Sequence, residues 1–387
     1  MTPLVDIAGA SPQEAALLIV VVAARLLVPL LIPRFPLVIV AVLVLDALDQ
    51  TLLSTFTGFD TSESGPYQSV DKGLDIYYLA IAYLATMRNW TSDVAFRISR
   101  FLFYYRLAGS VLFELTHARV MLLLFPNTFE YFFIVYEVVR LRYSPTRCSA
   151  RLWLLIAAGI WIFVKLPQEY WIHIAQLDFT DTVRDYPAFG LTMVAALLGA
   201  TYFFTFYVKP RLPASDWTWR PAADPMPHSL VETHARFAQR LNGGLLRREA
   251  LEQTSLLALL CIIFASILPG IKATVLQIVV GVTTIVLVNA AISLIAERQG
   301  GFAPRSAAAR YCVLLATNLI LVYAAHALLG DRRDFRLGYG LFFAFLITTI
   351  LWLYDAFRPV YDARFADSSL RVTSIGDLFD RVRTRRS

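Results

Sequence analysis

The feature that most constrains this chain is a series of apolar runs close to the length an α-helix needs to cross a hydrocarbon core, about 20 residues for roughly 30 Å. In lipid each backbone N–H and C=O must be satisfied within its own segment or in a closed barrel, and long uninterrupted apolar runs select helices. Runs of this kind cover residues 14–32, 36–55, 74–88, 101–116, 119–139, 152–174, 187–208, 251–269, 273–296, 310–329 and 338–357. Composition agrees, with 57% apolar and 17% charged residues, against about 45–50% and 25% in soluble domains. The sequence therefore predicts an all-α integral membrane protein, a polytopic bundle of about eleven transmembrane helices.

Orientation follows from the arginines. Most of the 35 basic residues fall in alternate loops and in the C-terminal tail: Arg34, Arg88, Arg97, Arg100, Arg140 to Arg151, Lys209 to Arg248, Arg298 to Arg310, and Arg358 onward. The other loops hold only Lys72, Arg119, Arg184, Lys272, Arg332, Arg333 and Arg336. The positive-inside rule then places the N-terminus outside and the C-terminus in the cytoplasm of a plasma or cytoplasmic membrane. It also accounts for the net charge of +6, so no nucleic-acid partner is expected. Ser11-Pro12-Gln13-Glu14 reads as a helix start rather than a signal peptide.

Four regions are expected: a seven-span bundle over 1–208, a cytoplasmic linker over 209–250, a four-span bundle over 251–357, and a basic tail over 358–387. The linker should carry a surface helix near 230–241 ended by Asn242-Gly243-Gly244, and residues 373–385 a short amphipathic helix. The last four spans are aliphatic and nearly free of charge, whereas the first seven are aromatic and carry ionisable groups. Cys148, Cys261 and Cys312 have neither disulfide nor zinc spacing.

An ionisable residue within a span costs at least about 2.5–3.5 kcal/mol near the helix centre unless it finds a partner or water. Counting from the turn at Arg34, Arg25 and Asp46 both reach mid-membrane and form a predicted pair, with Asp49 one turn from Asp46. Glu114, His117 and Arg119 close span four, Asn127 and Glu130 lie in span five, and Lys165, Glu169 and His173 in span six. Asp75 opens span three with Tyr77 and Tyr78 just within, and Asp60, Glu63, Asp71, Asp178, Asp181 and Asp185 fall in outer loops. Together they predict an acidic pocket toward the outer leaflet. Ion pairs Arg25–Asp46, Arg106–Glu137 and Lys165–Glu114 that merely fix helix register are the structural alternative.

Asp46-x-x-Asp49 and Asp71-x-x-x-Asp75 resemble the acidic motifs with which prenyltransferases hold magnesium diphosphate, without the flanking Asn and Asp pattern of the intramembrane family. The acidic outer loop after an early span is similar in architecture to membrane-embedded glycosyltransferases that use polyprenyl phosphates. No nucleotide, zinc-protease, nucleophile-elbow or haem motif is present, and no cofactor or metal follows from the sequence.

Three functions compete. The first is an enzyme acting on a lipid, isoprenoid or lipid-linked sugar. Its acids and bases would come from Asp46, Asp49, Glu114, Glu130, Lys165 and Glu169. Its substrate contacts would come from Arg25, Asp75, Tyr77, Tyr78, His117, Arg119, Asn127 and His173. The second is a proton- or ion-coupled transporter, disfavoured by few glycines, no internal repeat, and charges gathered in one half and toward one face. The third is a non-catalytic subunit that meets a protein partner through the C-terminal bundle or the tail. The lipid bilayer is a partner in every case.

Overall fold

A computed structural model describes residues 12–56, 66–175, 177, 179–225, 248–268, 271, 273–298, 307–329 and 337–365. The expected cap at Ser11, the loop acids Asp60, Glu63 and Asp178, the helices near 230–241 and 373–385, and the Asn242-Gly243-Gly244 stop lie outside the described residues. Among those described, the chain is helical with no strand.

Helix α1 (Pro12–Leu27) runs into a 3-10 turn (Val28–Leu31), and α2 (Val38–Phe56) returns beside it. Then follow α3 (Pro66–Asn89) and α4 (Asp93–Thr116). Ser92 caps α4 by accepting from the Ala95 N–H, and His117 closes it in the left-handed region with φ 53°. The expected fifth span is broken into α5 (Val120–Leu124) and α6 (Thr128–Arg140), with Pro126 in the gap.

The sixth combines α7 (Ala150–Gly159) and α8 (Leu166–Glu169), with π-helical turns at Ile160–Lys165 and Tyr170–Ile174. Pro167 has no N–H to give the preceding turn, and wider turns absorb the missing bond. A short α9 (Phe179–Asp185) leads to α10 (Pro187–Phe203). The remaining helices are α11 (Arg248–Ile267), α12 (Val275–Arg298), α13 (Ala307–Leu329) and α14 (Leu337–Arg364).

Eight helical segments are long and apolar enough to cross a membrane, among the described residues. Helices α2, α3 and α4 lie outside that set although they are 19, 24 and 24 residues long. Two expected boundaries need correction. The third segment starts at Pro66 and the fourth at Asp93, because Asp71, Lys72, Asp75, Arg97 and Arg100 interrupt the apolar signal without interrupting the helix. Asp71 is thus a helical residue one turn from Asp75, not a loop residue.

Helix α3 is the hub. It packs against α1, α2, α4, α11 and α14, so helices from both sides of the 209–250 segment meet on it. Every residue from Tyr77 to Ala85 is buried, which is the signature of a helix surrounded on all sides. Ala80, Ala82 and Ala85 let neighbouring backbones approach closely, and Gly73 does the same for Phe264, whose ring edge would lie 2.7 Å from an added Cβ.

Candidate functional site

Arg25 on α1 is 1% exposed and holds four aspartates from two other helices. Its guanidinium meets Asp46 at 2.5 Å and Asp49 at 2.5 Å from α2, and Asp75 at 2.7 Å and Asp71 from α3. Asp46 from α2 and Asp71 and Asp75 from α3 thus converge on one guanidinium. Oxygens of Asp46, Asp49 and Asp71 lie within 4.8 Å of one another, close enough to share a cation.

A second polar group adjoins the first through α3. The Tyr78 hydroxyl donates to Glu130 Oε2 at 2.8 Å, and Asn127 Nδ2 donates to the same oxygen at 2.6 Å. The Asn127 backbone N–H reaches Glu169 Oε1 at 3.2 Å, and Glu169 Oε2 lies 3.1 Å from His173 Nε2. The π turn before Pro167 brings Lys165 inward, its Nζ 4.0 Å from the Tyr131 ring centre, while Phe163 beside it is 80% exposed. Lys165 feels the charges of Glu130, Glu169 and Asp75, and Asp46 that of Glu130, so the two groups form one electrostatic unit.

The break at Pro126 shapes this second group. It leaves the Phe125 carbonyl to accept from Arg106 Nη1 at 3.1 Å. Asn127 Oδ1, Thr128 Oγ1 and Arg106 Nε are buried without a hydrogen-bond partner. Unpaired buried donors and acceptors are costly, about 1–3 kcal/mol each, so a cluster of them at a helix break is a place for a bound polar molecule.

Below Tyr78, one helical turn of α3 from Leu79 to Ala82 is apolar and buried. Tyr83 stacks on Phe103 at 4.6 Å, and Phe103 meets Phe129 edge-on at 5.5 Å, completing an aromatic layer. Beyond it lies a third polar node. Tyr83 donates to Glu252 Oε1 at 2.6 Å, and Glu252 Oε2 accepts from Arg358 Nη1 at 2.6 Å and from Tyr354 at 3.2 Å. Arg100 approaches Glu252 at 3.5 Å.

Of the residues singled out in the sequence, Arg25, Asp46, Asp49, Asp75, Tyr78, Asn127, Glu130, Lys165, Glu169 and His173 come together. Tyr77 instead ties α3 to α1 by donating to the Leu26 carbonyl at 3.1 Å. Glu114 sits apart with Lys72 and His117, and His117 and Arg119 are exposed at the α4–α5 turn. Two expected pairs are corrected. Lys165 stands beside Glu130 and Glu169 rather than Glu114. Glu137 accepts from Arg140 at 2.5 Å and Trp90 at 2.9 Å rather than from Arg106, which the Pro126 break diverts to Phe125.

Asp71, Arg106 and Thr128 were not among the candidate site residues. The four-residue spacing of Asp71 to Asp75 was the available signal for the first, and Pro126 beside Asn127 for the others. The fold and this site define a polytopic helical membrane protein with a charged, partly unsatisfied interior. No protein-family model, curated protein or solved structure matches the chain.

Proposed function

We propose that the protein is a cation-coupled membrane transporter, protons being the simplest coupling ion, with the carboxylates around Arg25 as the coupling site. The observation that carries this reading is their excess: four aspartates share one guanidinium. Such a cluster is neutral only when protons or cations occupy it, and a buried site whose occupancy must change with its surroundings is the basis of a relay. We also infer eleven crossings, the eight apolar segments plus α2, α3 and α4, with the aspartate end outside.

The sequence leaned toward an enzyme because its charges gathered in one half and near one face. Polar groups at two depths of α3, and the packing of α11 and α14 from the second half on the same helix, weaken that objection. The helix break at Pro126 supplies the discontinuity that scarce glycines had seemed to preclude. On this reading the polar atoms at Asn127, Thr128 and Arg106 hold the substrate, and the layer around Phe103 and Phe129 separates the two compartments.

An enzyme acting on a lipid-linked substrate is the second reading. It is favoured by the convergence of the Asp46–Asp49 and Asp71–Asp75 pairs, whose resemblance to diphosphate-binding motifs gains from their meeting across α2 and α3. Purified protein in liposomes with a trapped pH dye distinguishes the two. Proton uptake driven by an imposed potential, lost in Asp75→Asn and kept in Glu114→Gln, supports transport. Absence of flux with any monovalent cation in folded protein overturns it. A co-purifying amphiphile in native mass spectra, lost in Asp49→Asn, then supports the enzyme.

A further inference from the structure

The arginine-rich end of the bundle carries a cluster that the coupling site does not use. Arg88 ends α3, Arg140 ends α6, Arg364 ends α14, and Arg34 lies in the turn between α1 and α2. Arg88 lies in the electrostatic field of the other three, with Asp224 as its nearby acid. Arg140 is already engaged by Glu137. Among the described residues four guanidiniums therefore face two carboxylates, and Asp224 also lies 3.7 Å from Arg220, an imbalance opposite in sign to that around Arg25.

Much of the hydrogen bonding here is to carbonyls, which satisfy geometry but not charge. Arg88 donates to Pro33 at 2.7 Å and Asp224 at 3.1 Å, and Arg364 to Trp90 at 2.6 Å and Arg88 at 2.7 Å. A strap over residues 213–225 covers the cluster. The Ala223 N–H donates to the Arg34 carbonyl at 2.8 Å, and the Ala222 carbonyl accepts from Arg140 Nη1 at 3.1 Å. Arg140 Nη2 beneath it is buried and has no partner. The Arg34 side chain is exposed, 5.7 Å from its neighbour's ring centre.

We propose that these arginines bind a phosphate-bearing anion at the edge of the strap, with Arg34, Arg88 and Arg364 as first contacts. Arg140 Nη2 becomes available when the strap shifts. Guanidinium forks match phosphate oxygens in geometry and charge, which neutral carbonyls cannot. The phosphate can belong to an anionic lipid headgroup in the adjoining leaflet or to a soluble phosphate compound.

The test uses the full-length protein in nanodiscs of phosphatidylcholine, with or without phosphatidylglycerol, and inorganic pyrophosphate as the soluble probe. Native mass spectrometry should find phosphatidylglycerol retained over phosphatidylcholine, or pyrophosphate bound in its absence. Displacement of the lipid by pyrophosphate assigns the site to soluble phosphates, and retention of the lipid assigns it to a headgroup. Arg34→Gln, whose exposed side chain is dispensable for packing, should weaken binding about tenfold. Arg88→Lys should keep most of it and Arg88→Gln should not. No preference for either probe, or undiminished binding in Arg34→Gln, overturns the proposal and leaves the arginines as helix caps.

Discussion

Arg25 and Arg358 both join helices through buried carboxylates, yet their surroundings differ in charge balance. Arg25 is the cation that the structure shows among four aspartates. Arg358 shares Glu252 with Arg100 and reaches Asp362 at 3.0 Å, so two cations meet two anions among the described residues, and the hydroxyls of Tyr83 and Tyr354 also donate to Glu252. A node whose charges balance is a clamp. An unbalanced one stores a requirement for protons or cations, and that is where function is expected.

The largest effect tests the imbalance directly. Arg25→Gln removes a buried counterion from four aspartates, Asp49 fully buried and the others partly so, and should cost on the order of 3 kcal/mol. The expected outcome is loss of the monodisperse peak in detergent chromatography. Arg358→Gln leaves Glu252 with Arg100 and two hydroxyls, so a smaller loss of about 1–2 kcal/mol is expected. Equal losses in the two variants would break the distinction between site and clamp.

Next in size is Gly109→Ala on α4. Gly109 packs directly against Phe125, at the break between α5 and α6, where an added Cβ would overlap the Phe125 Cβ. Overpacking of this kind costs about 1–3 kcal/mol. Because Phe125 adjoins Pro126 and Asn127, flux should fall more than stability does, whereas an equally destabilising change at the Glu252 node should lower stability alone. Thermal melts and liposome flux measured on the same preparations separate these outcomes.

Neutralising single carboxylates should then give effects of opposite sign, each on the order of 1 kcal/mol. Asp75→Asn relieves repulsion among the aspartates and should raise the melting temperature while abolishing flux. Glu252→Gln removes an anion that two arginines require and should lower it. A lower melting temperature in Asp75→Asn would mean that the aspartates are structural partners of Arg25 after all.

Much of the aspartate cluster was legible because depth in a helical hairpin can be counted. Arg25 and Asp46 lie at similar distances from the turn at Arg34, and they meet at 2.5 Å. The helical character of every apolar run was legible for the same reason. What resisted reading were the departures from regular periodicity. The π turns beside Pro167 redirect Lys165, and the break at Pro126 redirects Arg106, and neither follows from 3.6 residues per turn. The centrality of α3 was hidden by its own charges, since Asp71, Lys72 and Asp75 shorten the apolar signal that identifies a buried helix. The strap was equally hidden, because its contacts run through backbone carbonyls that any sequence supplies.

The smallest effect sharpens the comparison from outside the membrane. Asp216 in the strap accepts from the Ser144 N–H at 2.7 Å and from Arg147 at 2.8 Å. The Ser144 N–H first, and then the Arg147 charge, hold its carboxyl below the ordinary aspartate value of 3.8. A lowered folded value means that its contribution is present above pH 3.8 and is lost as pH falls through the folded value. Trp217 beside it donates to the Arg140 and Leu141 carbonyls, each at 3.0 Å, and reports on the strap. Tryptophan emission should therefore shift slightly in that acidic window in wild type. Asp216→Asn should flatten that shift, because the amide keeps an acceptor for Ser144 and loses the titrating charge, with flux at neutral pH unchanged. A loss of flux in that variant would show that even a compensated carboxylate can matter to transport, and charge imbalance would no longer separate site from scaffold.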